Sequence, residues 1–540
     1  MPVWVWIAIA ACLFNVFKPV HMDDAAYVQV AAALVENPRH AMRVLVNWDN
    51  VPEPISQINQ PHGVPAFLAL PMAMGLRSDL ALHIAFALFT IVATAAFYRL
   101  ARLCDIRDPA AVTFAFVLGP QFLPGQNLMT DVPMLAMMLL TLVWCRRGAW
   151  TAAGLAASVA CLMKYNGIVL LPALVVIAWR ARTRRAWLIV GIPAIALVAW
   201  SAFNLLDYGH VHILGRPRPT LTGAEWLGRI AGMLIGVGAV TPVTAVALFH
   251  PHRYRTHLLW ATAATLVCVV VGWLITRESF PATDSATWLR GLFFGNGVLA
   301  ILLAMSHRDR MPFERDQGRP LAVLATSTAI FVIGWAPFLA VRYLFPISVV
   351  VTLFIAYGHL DRLSQFNRLA VSCVAAGLGA ALAMSDMVYA GTYRQMATTV
   401  SGDLVPARST RGAYTAGHWG WQWYTTQLGL TPYATGLTAL RPDDVIVVPC
   451  GVAKQRFSDA DRRQLMIVSR YEVSSSWWTR VRTMGVQNGT IHSGYYRSSD
   501  LALPWFISRR PLDTFLVLSV TSAPSAPFDV EASCEGQRDR

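Results

Sequence analysis

The stretch HMDDAAYVQV, residues 21–30, follows directly on an apolar segment, residues 3–20, and places two adjacent carboxylates, Asp23 and Asp24, where a bilayer-spanning segment would end. The rest of the chain is equally apolar: 55% of its 540 residues are hydrophobic, only 14% are charged, and the mean hydropathy is +0.47. A soluble core cannot hide so much apolar surface. We therefore predict a polytopic α-helical membrane protein.

We predict the number of membrane spans by counting the apolar segments that are long enough to cross a bilayer. A spanning helix satisfies its backbone hydrogen bonds internally and needs roughly 20 apolar residues. Residues 3–20 lack the basic start and the small-residue cleavage site of a signal peptide, so they are predicted to be the first span. About thirteen segments qualify in all: 3–20, 78–98, 109–123, 129–145, 149–163, 166–180, 186–204, 228–248, 258–275, 288–305, 320–338, 341–358 and 369–389.

The arginines predict the orientation of the chain, because Lys and Arg are retained on the cytoplasmic side. Alternate loops carry them, at residues 99–107, 146–147, 180–185, 253–255, 308–319 and 362–368. We therefore predict a protein of the cell inner (cytoplasmic) membrane with a cytoplasmic N-terminus and residues 21–62 facing outward. The net charge of +14 then reflects topology, and its dispersal over short loops argues against a nucleic-acid partner.

Hydropathy falls near residue 390 and divides the chain into two predicted domains. Residues 1–389 form the transmembrane domain, and residues 390–540 form a small outward-facing α/β domain. In the latter, GHWGWQWYTTQLGL (417–430) predicts a helix, and DDVIVVP (443–449) and TFLVLSV (514–520) predict buried strands. The aromatic run is either a sugar-stacking surface or, more commonly, packed core. Cys450 and Cys534 lie where an oxidising compartment permits a disulfide, although sequence alone does not decide their geometry.

The first outward loop, residues 21–62, contains a second helical pattern. Tyr27, Val30 and Ala31 begin the i, i+3, i+4 spacing of an amphipathic helix, which is expected to lie in the membrane interface. Asp23 and Asp24 stand one turn before Tyr27, so at least one acid shares its face. The simplest alternative is that the two acids cap this helix, because Asp at an N-terminus accepts unpaired N–H bonds.

Three further charged residues lie at the predicted outer ends of spans: Asp131 in LMTDVPML, Lys164 in MKYNG and Arg342 in AVRYLFP. Each has a structural alternative, with Asp131 as a helix cap and with Lys164 and Arg342 as interface residues whose heads reach water. Ionisable residues at membrane depth are nevertheless functional candidates. Together the acids would deprotonate an acceptor hydroxyl, while the two cations would hold a phosphate as it gains charge.

The same topology restricts the donor. No GxGxxG or P-loop precedes a helix, and the cytoplasmic loops are too short for a nucleotide-sugar domain. An outward-facing site is expected to use a group already carried across the membrane, for which a lipid-linked phosphate is suited. A transporter or flippase of a lipid-linked or sugar-like solute is the alternative, although no inverted pair of broken spans is visible.

In these motifs the chain resembles the GT-C superfamily of polytopic glycosyltransferases, of the family 39 type that includes protein O-mannosyltransferases and the transferase that adds aminoarabinose to lipid A. Asp23, Asp24 and Tyr27 match the D-[DE]-x-x-Y motif of the first outward loop. The other matching pieces, in order, are QPHGVPAFLALPMAMG (60–75), LMTDVPML around Asp131, MKYNGIVLLPAL around Lys164 and VRYLFP around Arg342. The outer segments GHWGWQWYTTQLGL and LRPDDVIVVP also resemble those of uncharacterised bacterial members.

The resemblance implies inverting transfer of a sugar from a polyprenyl-phosphate-linked donor to a hydroxyl of a lipid, glycan or protein acceptor. Asp23 would be the general base, and Asp24 and Asp131 would position the sugars. Lys164 and Arg342 would bind the phosphate, and Tyr27 would support the loop.

Two departures from the family pattern matter. The usual proline pair is replaced by QPHG, residues 60–63, where His62 is a candidate phosphate ligand or an ordinary loop histidine. The second acid is Asp where Glu is also used, which leaves Asp23 favoured over Asp24 as the base. We predict no cofactor and no metal site, although His21, Asp23 and Asp24 offer some ligands for a divalent cation.

Overall fold

The structure, a computed structural model, describes residues 1–57, 61–215, 221–276, 285–306, 318–404, 412–485, 489–492, 501–522 and 526–535. Gln60 of the second motif and part of the arginine-bearing segment 308–319 therefore lie outside the described residues. Long apolar runs make the first four hundred residues mostly helical. The helices are Val3–Asn15, Asp24–Glu36, Gly63–Ala73, Asp79–Leu103, Pro109–Val117, Asp131–Arg146, Trp150–Met163, Leu171–Ala181, Leu188–Tyr208, His212–Gly215, Gly223–Val240, Arg255–Thr276, Ser285–Met305, Gly318–Gly334, Phe345–Gly358 and Gln365–Leu404.

Each of the thirteen predicted spans overlaps one of these helices, so the prediction of a mostly helical chain is confirmed. Six described helical segments are long and apolar enough to cross a bilayer, or seven if Gly223–Val240 and the 3-10 helix Pro242–Phe249, which meet at 71°, form one broken span. The other apolar helices have at most 17 residues. The count of thirteen spans therefore stays a prediction.

The first loop folds into a helix followed by a small hairpin. Helix Asp24–Glu36 is followed by strands β1 (Leu45–Asn47) and β2 (Pro52–Pro54), which pair antiparallel. The predicted amphipathic spacing places Tyr27, Val30 and Ala31 on the face that is buried against the bundle. The loop is therefore an ordered part of the protein core.

Beyond the bundle, a five-stranded mixed sheet has the order β4-β3-β5-β9-β6. The strands β5 and β9 lie within the two apolar segments from which strands were predicted, and their side chains are almost all buried. Helices Trp419–Gln427, Asp459–Arg462 and Val530–Glu535 flank the sheet. The strands are β3 (Ala413–Thr415), β4 (Thr431–Pro432), β5 (Val445–Pro449), β6 (Leu465–Val473) and β9 (Asp513–Val520), with a separate pair β7 (Val481–Arg482) and β8 (Phe506–Ile507).

The sheet domain rests on the end of the bundle that carries the first loop. Helix Gln365–Leu404 runs through residue 390, so the last predicted span and the start of the predicted outer domain share one helix, and the boundary at 389/390 stays a prediction. The backbone N–H of Val20 donates to the Tyr424 hydroxyl at 2.7 Å. A Cβ on Gly420 would lie 2.6 Å from the Val20 carbonyl oxygen, so only glycine allows this close approach.

Cys450 and Cys534 form a disulfide that closes a loop of 84 residues in the sheet domain. A cross-link of this kind typically contributes about 2–4 kcal/mol by restricting the unfolded chain. We expect the double variant Cys450→Ala/Cys534→Ala to lower the unfolding midpoint of this domain, measured by proteolysis of the purified protein at increasing denaturant. Wild type treated with a reductant should show the same midpoint as the variant, and a midpoint equal to that of oxidised wild type would contradict this expectation.

Asp513 lies between the sheet and helix Gln365–Leu404, and its burial should make the stability of the folded protein depend on pH. Its carboxylate accepts hydrogen bonds from the Tyr393 hydroxyl at 2.9 Å and from the Gly451 backbone N–H at 2.7 Å. Burial nevertheless raises the pKa of Asp513 from 3.8 to about 6. Because the folded protein then holds this proton more tightly than the unfolded chain, its stabilising contribution is complete below about pH 4 and is lost as the pH rises through about 6.

Asp513→Asn tests this dependence, since it removes the titrating group and keeps its shape. We expect the melting temperature of wild type to fall between pH 4 and pH 6.5 by more than that of the variant. Parallel curves for the two proteins would show that Asp513 does not titrate in this range.

Candidate active site

Four of the predicted charged residues form one continuous chain of ion pairs, called here the ion-pair chain. The Asp23 carboxylate lies 3.1 Å from Nη2 of Arg342, and Nη1 of Arg342 lies 3.6 Å from Oδ2 of Asp131. Oδ1 of Asp131 in turn accepts a hydrogen bond from Nζ of Lys164 at 2.5 Å. Residues separated by up to 319 positions thus meet in the order Asp23, Arg342, Asp131, Lys164.

Each member of the ion-pair chain stands where a helix begins or ends. Asp23 immediately precedes helix Asp24–Glu36, and Asp131 is the first residue of its helix. Lys164 follows Trp150–Met163 in an extended conformation, and Arg342 lies in the 3-10 helix Val341–Leu344 before Phe345–Gly358. Helix ends project side chains beyond the regular backbone hydrogen bonding, so four helix termini can converge on one point.

The structure does not support the alternatives of capping and snorkelling for these four residues. The side chains of Asp23 and of Thr130, the residue that precedes the Asp131 helix, make no capping hydrogen bond. Lys164 is 1% exposed and Arg342 is 8% exposed, so neither head reaches water. Buried charges need paired partners, and here each one has at least one.

Hydrogen-bonding capacity is left over at the two cations. Nε of Arg342 is buried and has no hydrogen-bond acceptor among the described residues. Nζ of Lys164 sits 4.3 Å from the centre of the Tyr343 ring, and among the described residues Asp131 is the one hydrogen-bond acceptor for its three N–H bonds. The two cations therefore keep N–H donors that their carboxylate partners do not use.

Tyr27 and Asp23 lie at the loop end of the ion-pair chain. Burial raises the pKa of the Tyr27 phenol, and the neighbouring charge of Asp23 raises it further, so this hydroxyl stays protonated. The side chain of Asp23 is the most exposed of the four, at 11%. Asp23 and Arg342 are thus the two partly accessible members of the ion-pair chain, whereas Lys164 and Asp131 are almost fully buried.

Asp24 points away from the ion-pair chain into a second group of polar side chains, called here the inner polar network. Oδ2 of Asp24 accepts a hydrogen bond from the His21 backbone N–H at 3.0 Å. The network centres on Asp386, which is bonded to Lys18, to the Thr483 hydroxyl and to Nε2 of His492. Burial raises the pKa of Asp24 well above its usual range, which favours the protonated form of its carboxyl.

His21, Asp386 and His492 offer ligand atoms that all lie within 4.8 Å of one another, a spacing that a divalent cation requires. The Lys18 ammonium is bonded to the same Asp386 carboxylate and already supplies a positive charge there. Burial also lowers the pKa of His21 to about 3, so the ring is neutral. These residues do not fit a metal ion well, because the ion would be held beside an ammonium group.

His62 lies apart from the ion-pair chain. Its ring contacts the Trp200 ring at 5.4 Å between centroids, and its charged neighbour is Asp207. Burial lowers the pKa of His62 to about 4, so the ring is neutral and offers no positive charge to a phosphate. Among the described residues, no contact joins His62 to Asp23, Asp131, Lys164 or Arg342, and its role as a phosphate ligand stays a prediction without geometric support.

Sequence reasoning missed Lys18, Asp386 and His492. A usable signal was present for the first two, because Lys18 is one of only three lysines in the chain and Asp386 is an acid inside a predicted span. Nothing in the sequence around His492 indicated a role, because it lies in the predicted outer domain and contacts Asp386 only once the chain is folded.

A known protein family matches part of this chain. Residues 59–204, which include Asp131 and Lys164, match the family model PMT_2, described as dolichyl-phosphate-mannose-protein mannosyltransferase. The resemblance to GT-C polytopic glycosyltransferases that the motifs predicted is confirmed by this match. No curated protein matches the chain.

Two solved structures are also similar to this chain. They are ArnT from Cupriavidus metallidurans in the apo state (TM-score 0.48, 13% identity, 82% of this chain and 92% of that one) and the same protein bound to undecaprenyl phosphate (TM-score 0.43, 14% identity, 97% and 98%).

Proposed function

We propose that this protein is a glycosyltransferase that moves a sugar, with inversion, from a polyprenyl-phosphate-linked donor to an acceptor hydroxyl at the outer face of the cytoplasmic membrane. The observation that carries the proposal is the ion-pair chain, in which a carboxylate and two cations meet at buried helix ends. The family match over residues 59–204 supports the same class of donor. The alternative, a transporter or flippase, does not require a carboxylate held beside a phosphate-binding pair.

In this proposal the Asp23 end of the ion-pair chain activates the acceptor, and the cations stabilise the departing phosphate. Asp23 accepts the proton of the acceptor hydroxyl, whose oxygen attacks the anomeric carbon of the donor. The bond between that carbon and the phosphate oxygen breaks, and its electron pair stays on the phosphate. Lys164 and Arg342 neutralise the charge that the phosphate gains, while Asp131 holds the two cations in place.

Asp23 is a better base than Asp24 for a physical reason. A general base must be ionised when the substrate arrives. The guanidinium of Arg342 balances the charge of the Asp23 carboxylate, whereas burial raises the pKa of Asp24 and favours its protonated form. In this proposal Asp24 stabilises the turn that carries Asp23, through its hydrogen bond to the His21 backbone, and does not touch the sugar.

The proposal is tested by offering the purified protein in lipid nanodiscs a panel of synthetic polyprenyl-phosphate sugars, with cell-envelope extract as the source of acceptor. We expect one donor to release free polyprenyl phosphate and to leave its sugar on the extract. If no member of the panel is consumed, and a labelled lipid-linked sugar instead crosses the bilayer of liposomes that hold the protein, the transporter alternative replaces the transferase.

A further inference from the structure

A pocket of about 460 Å³ separates the first loop from the sheet domain. One wall is helix Asp24–Glu36 with strands β1 and β2, and the other is helix Trp419–Gln427 with strand β4. The volume lies in the range of about 300–1,000 Å³ that is typical of small-ligand sites. We call it the tryptophan pocket; its lining includes Met22, Gln29, Asn47, Trp48, Trp419 and Trp423.

The aromatic residues of helix Trp419–Gln427 divide between two faces. Trp421 is fully buried and contacts Phe515 of the sheet at 5.0 Å between ring centroids, so it belongs to the core of the domain. Trp419 and Trp423, at i and i+4, lie on the other face and are only half-buried, against the pocket. The aromatic run is therefore core on one side and pocket wall on the other, where Trp48 of the first loop joins it.

Two polar atoms of the pocket lining are buried without a partner. Oδ1 of Asn47 accepts no hydrogen bond from the described residues, although the side chain is 92% buried (8% exposed) and its Nδ2 donates to the Tyr433 carbonyl oxygen. Nε1 of Trp423 likewise has no acceptor among them. One atom accepts and the other donates, and buried groups of this kind normally have partners. Neither atom is accessible from the pocket as the side chains stand, so a bound hydroxyl, which both donates and accepts, complements this pair once the two side chains turn toward it.

The backbone is strained at both walls. Met22 has φ +51° and Trp419 has φ +64°, a region that bulky residues rarely adopt. Such strain persists where the surrounding structure enforces it, and it concentrates at ligand sites. Met22 also precedes Asp23 directly in the chain, so the pocket adjoins the segment that carries the proposed base.

Among the described residues, His418 is the one acidic or basic side chain that lines the pocket. Burial lowers the pKa of His418, so its ring is neutral at physiological pH. A phosphate or a carboxylate in the pocket would find no counter-charge, and a hydrocarbon chain would leave Oδ1 of Asn47 without a donor. Aromatic rings with neutral amides suit a ligand that has apolar ring faces and hydroxyl edges.

We propose that the tryptophan pocket binds an uncharged saccharide unit of a glycan acceptor and thereby presents one of its hydroxyls to Asp23. The role as acceptor site rests on the proposed transferase function, whereas the binding of saccharide does not. Trp423 and Asn47 are then substrate-binding residues that act on the acceptor and not on the lipid donor.

The test measures binding and turnover separately. Binding of short neutral hexose and N-acetylhexosamine oligosaccharides to the full-length protein in nanodiscs is followed by saturation-transfer NMR in the absence of donor, with a uronic-acid oligosaccharide and an uncharged peptide as comparators. The variants are Trp423→Ala, Trp423→Phe and Trp477→Ala. Trp477 is a matched control because it is 74% exposed and does not line the pocket.

We expect a neutral oligosaccharide to bind wild type and Trp477→Ala, to bind Trp423→Ala at least about tenfold more weakly, and to bind Trp423→Phe with intermediate affinity. In turnover, Trp423→Ala should raise KM for the glycan acceptor by a similar factor and leave KM for the donor unchanged. A variant that only destabilised the fold would change both.

The other outcomes separate the two proposals. If transfer proceeds but Trp423→Ala retains both the affinity for saccharide and KM for the acceptor, or if the peptide or the uronate binds in place of neutral saccharides, the pocket proposal is wrong and the transferase stands. If saccharide binding depends on Trp423 and no donor is consumed, the pocket proposal stands for binding and the transferase is wrong.

Discussion

Asp23→Asn is expected to lower the rate of sugar transfer by about 10² to 10⁴, because a positioned general base contributes about that factor. The substitution keeps the shape of the side chain and its place beside Arg342, so donor binding should change little. The measurement is single-turnover release of polyprenyl phosphate from saturating donor. With acceptor also saturating, the loss should appear in kcat and not in KM for the donor.

Asp24→Asn is the matched control, since it makes the same chemical change one residue away. Because burial favours the protonated, uncharged form of Asp24, an amide should change its charge little, and we expect less than a tenfold effect. Equal losses of activity in the two variants would show that residues 23–24 have a structural role and that neither carboxylate acts as the base. A larger loss in Asp24→Asn would transfer the role of base to Asp24.

Lys164→Met is expected to have the second largest effect, on both stability and activity. Removing the ammonium leaves the buried Asp131 carboxylate with Arg342 alone, at 3.6 Å. Breaking a buried pair in this way costs about 3–5 kcal/mol, and loss of a donor that neutralises developing charge costs about 10² to 10³ in rate. Thermal unfolding and single-turnover release measure the two effects.

The double variant Asp131→Asn/Lys164→Met separates the two roles of Lys164. It removes both charges of the pair, so we expect most of the lost stability to return while activity stays low, because the cation for the phosphate is still missing. Recovery of activity together with stability would mean that Lys164 serves the fold alone. Lys454→Met is the control for lysine removal, since Lys454 pairs with the exposed Glu531, lies outside the ion-pair chain and should leave the transfer rate unchanged.

The ion-pair chain was predictable because its members break the charge pattern of a membrane protein. Asp131, Lys164 and Arg342 each stand at the end of an apolar segment, where an ionisable residue is costly unless it is paired. Strands β5 and β9 were equally accessible, since each is a short continuous apolar run between turn signals. In both cases the local sequence contains the physical reason for the structure.

The features that sequence reasoning missed depend on contacts between distant segments. Lys18 and Asp386 are 368 residues apart, and His492 reaches Asp386 across a further 106. Asp23 and Asp24 have different environments because the helix begins between them, at Asp24. Sequence patterns locate the first residue of a helix only to within a few positions, so this difference could not be predicted. His62 looked like a phosphate ligand by position, but burial beside Trp200 makes it neutral.

The tryptophan pocket could be predicted from the sequence only in part. From sequence, GHWGWQWY predicted either a core or a sugar-stacking surface, and the helix serves the core with Trp421 while it lines a pocket with Trp419 and Trp423. Spacing alone could not divide these residues, because their faces depend on where the first loop and the sheet lie. Asn47 and Trp48 form the opposite wall of the pocket because the folded chain brings the first loop next to helix Trp419–Gln427.

The central claim is that the ion-pair chain transfers a sugar from a lipid phosphate with inversion. The most direct measurement uses one donor of defined anomeric configuration and follows, in the same reaction, the polyprenyl phosphate released and the anomeric configuration of the product by NMR. The account predicts one polyprenyl phosphate for each sugar transferred and a product of opposite configuration to the donor. A product with retained configuration, or a donor that is recovered intact, would contradict it.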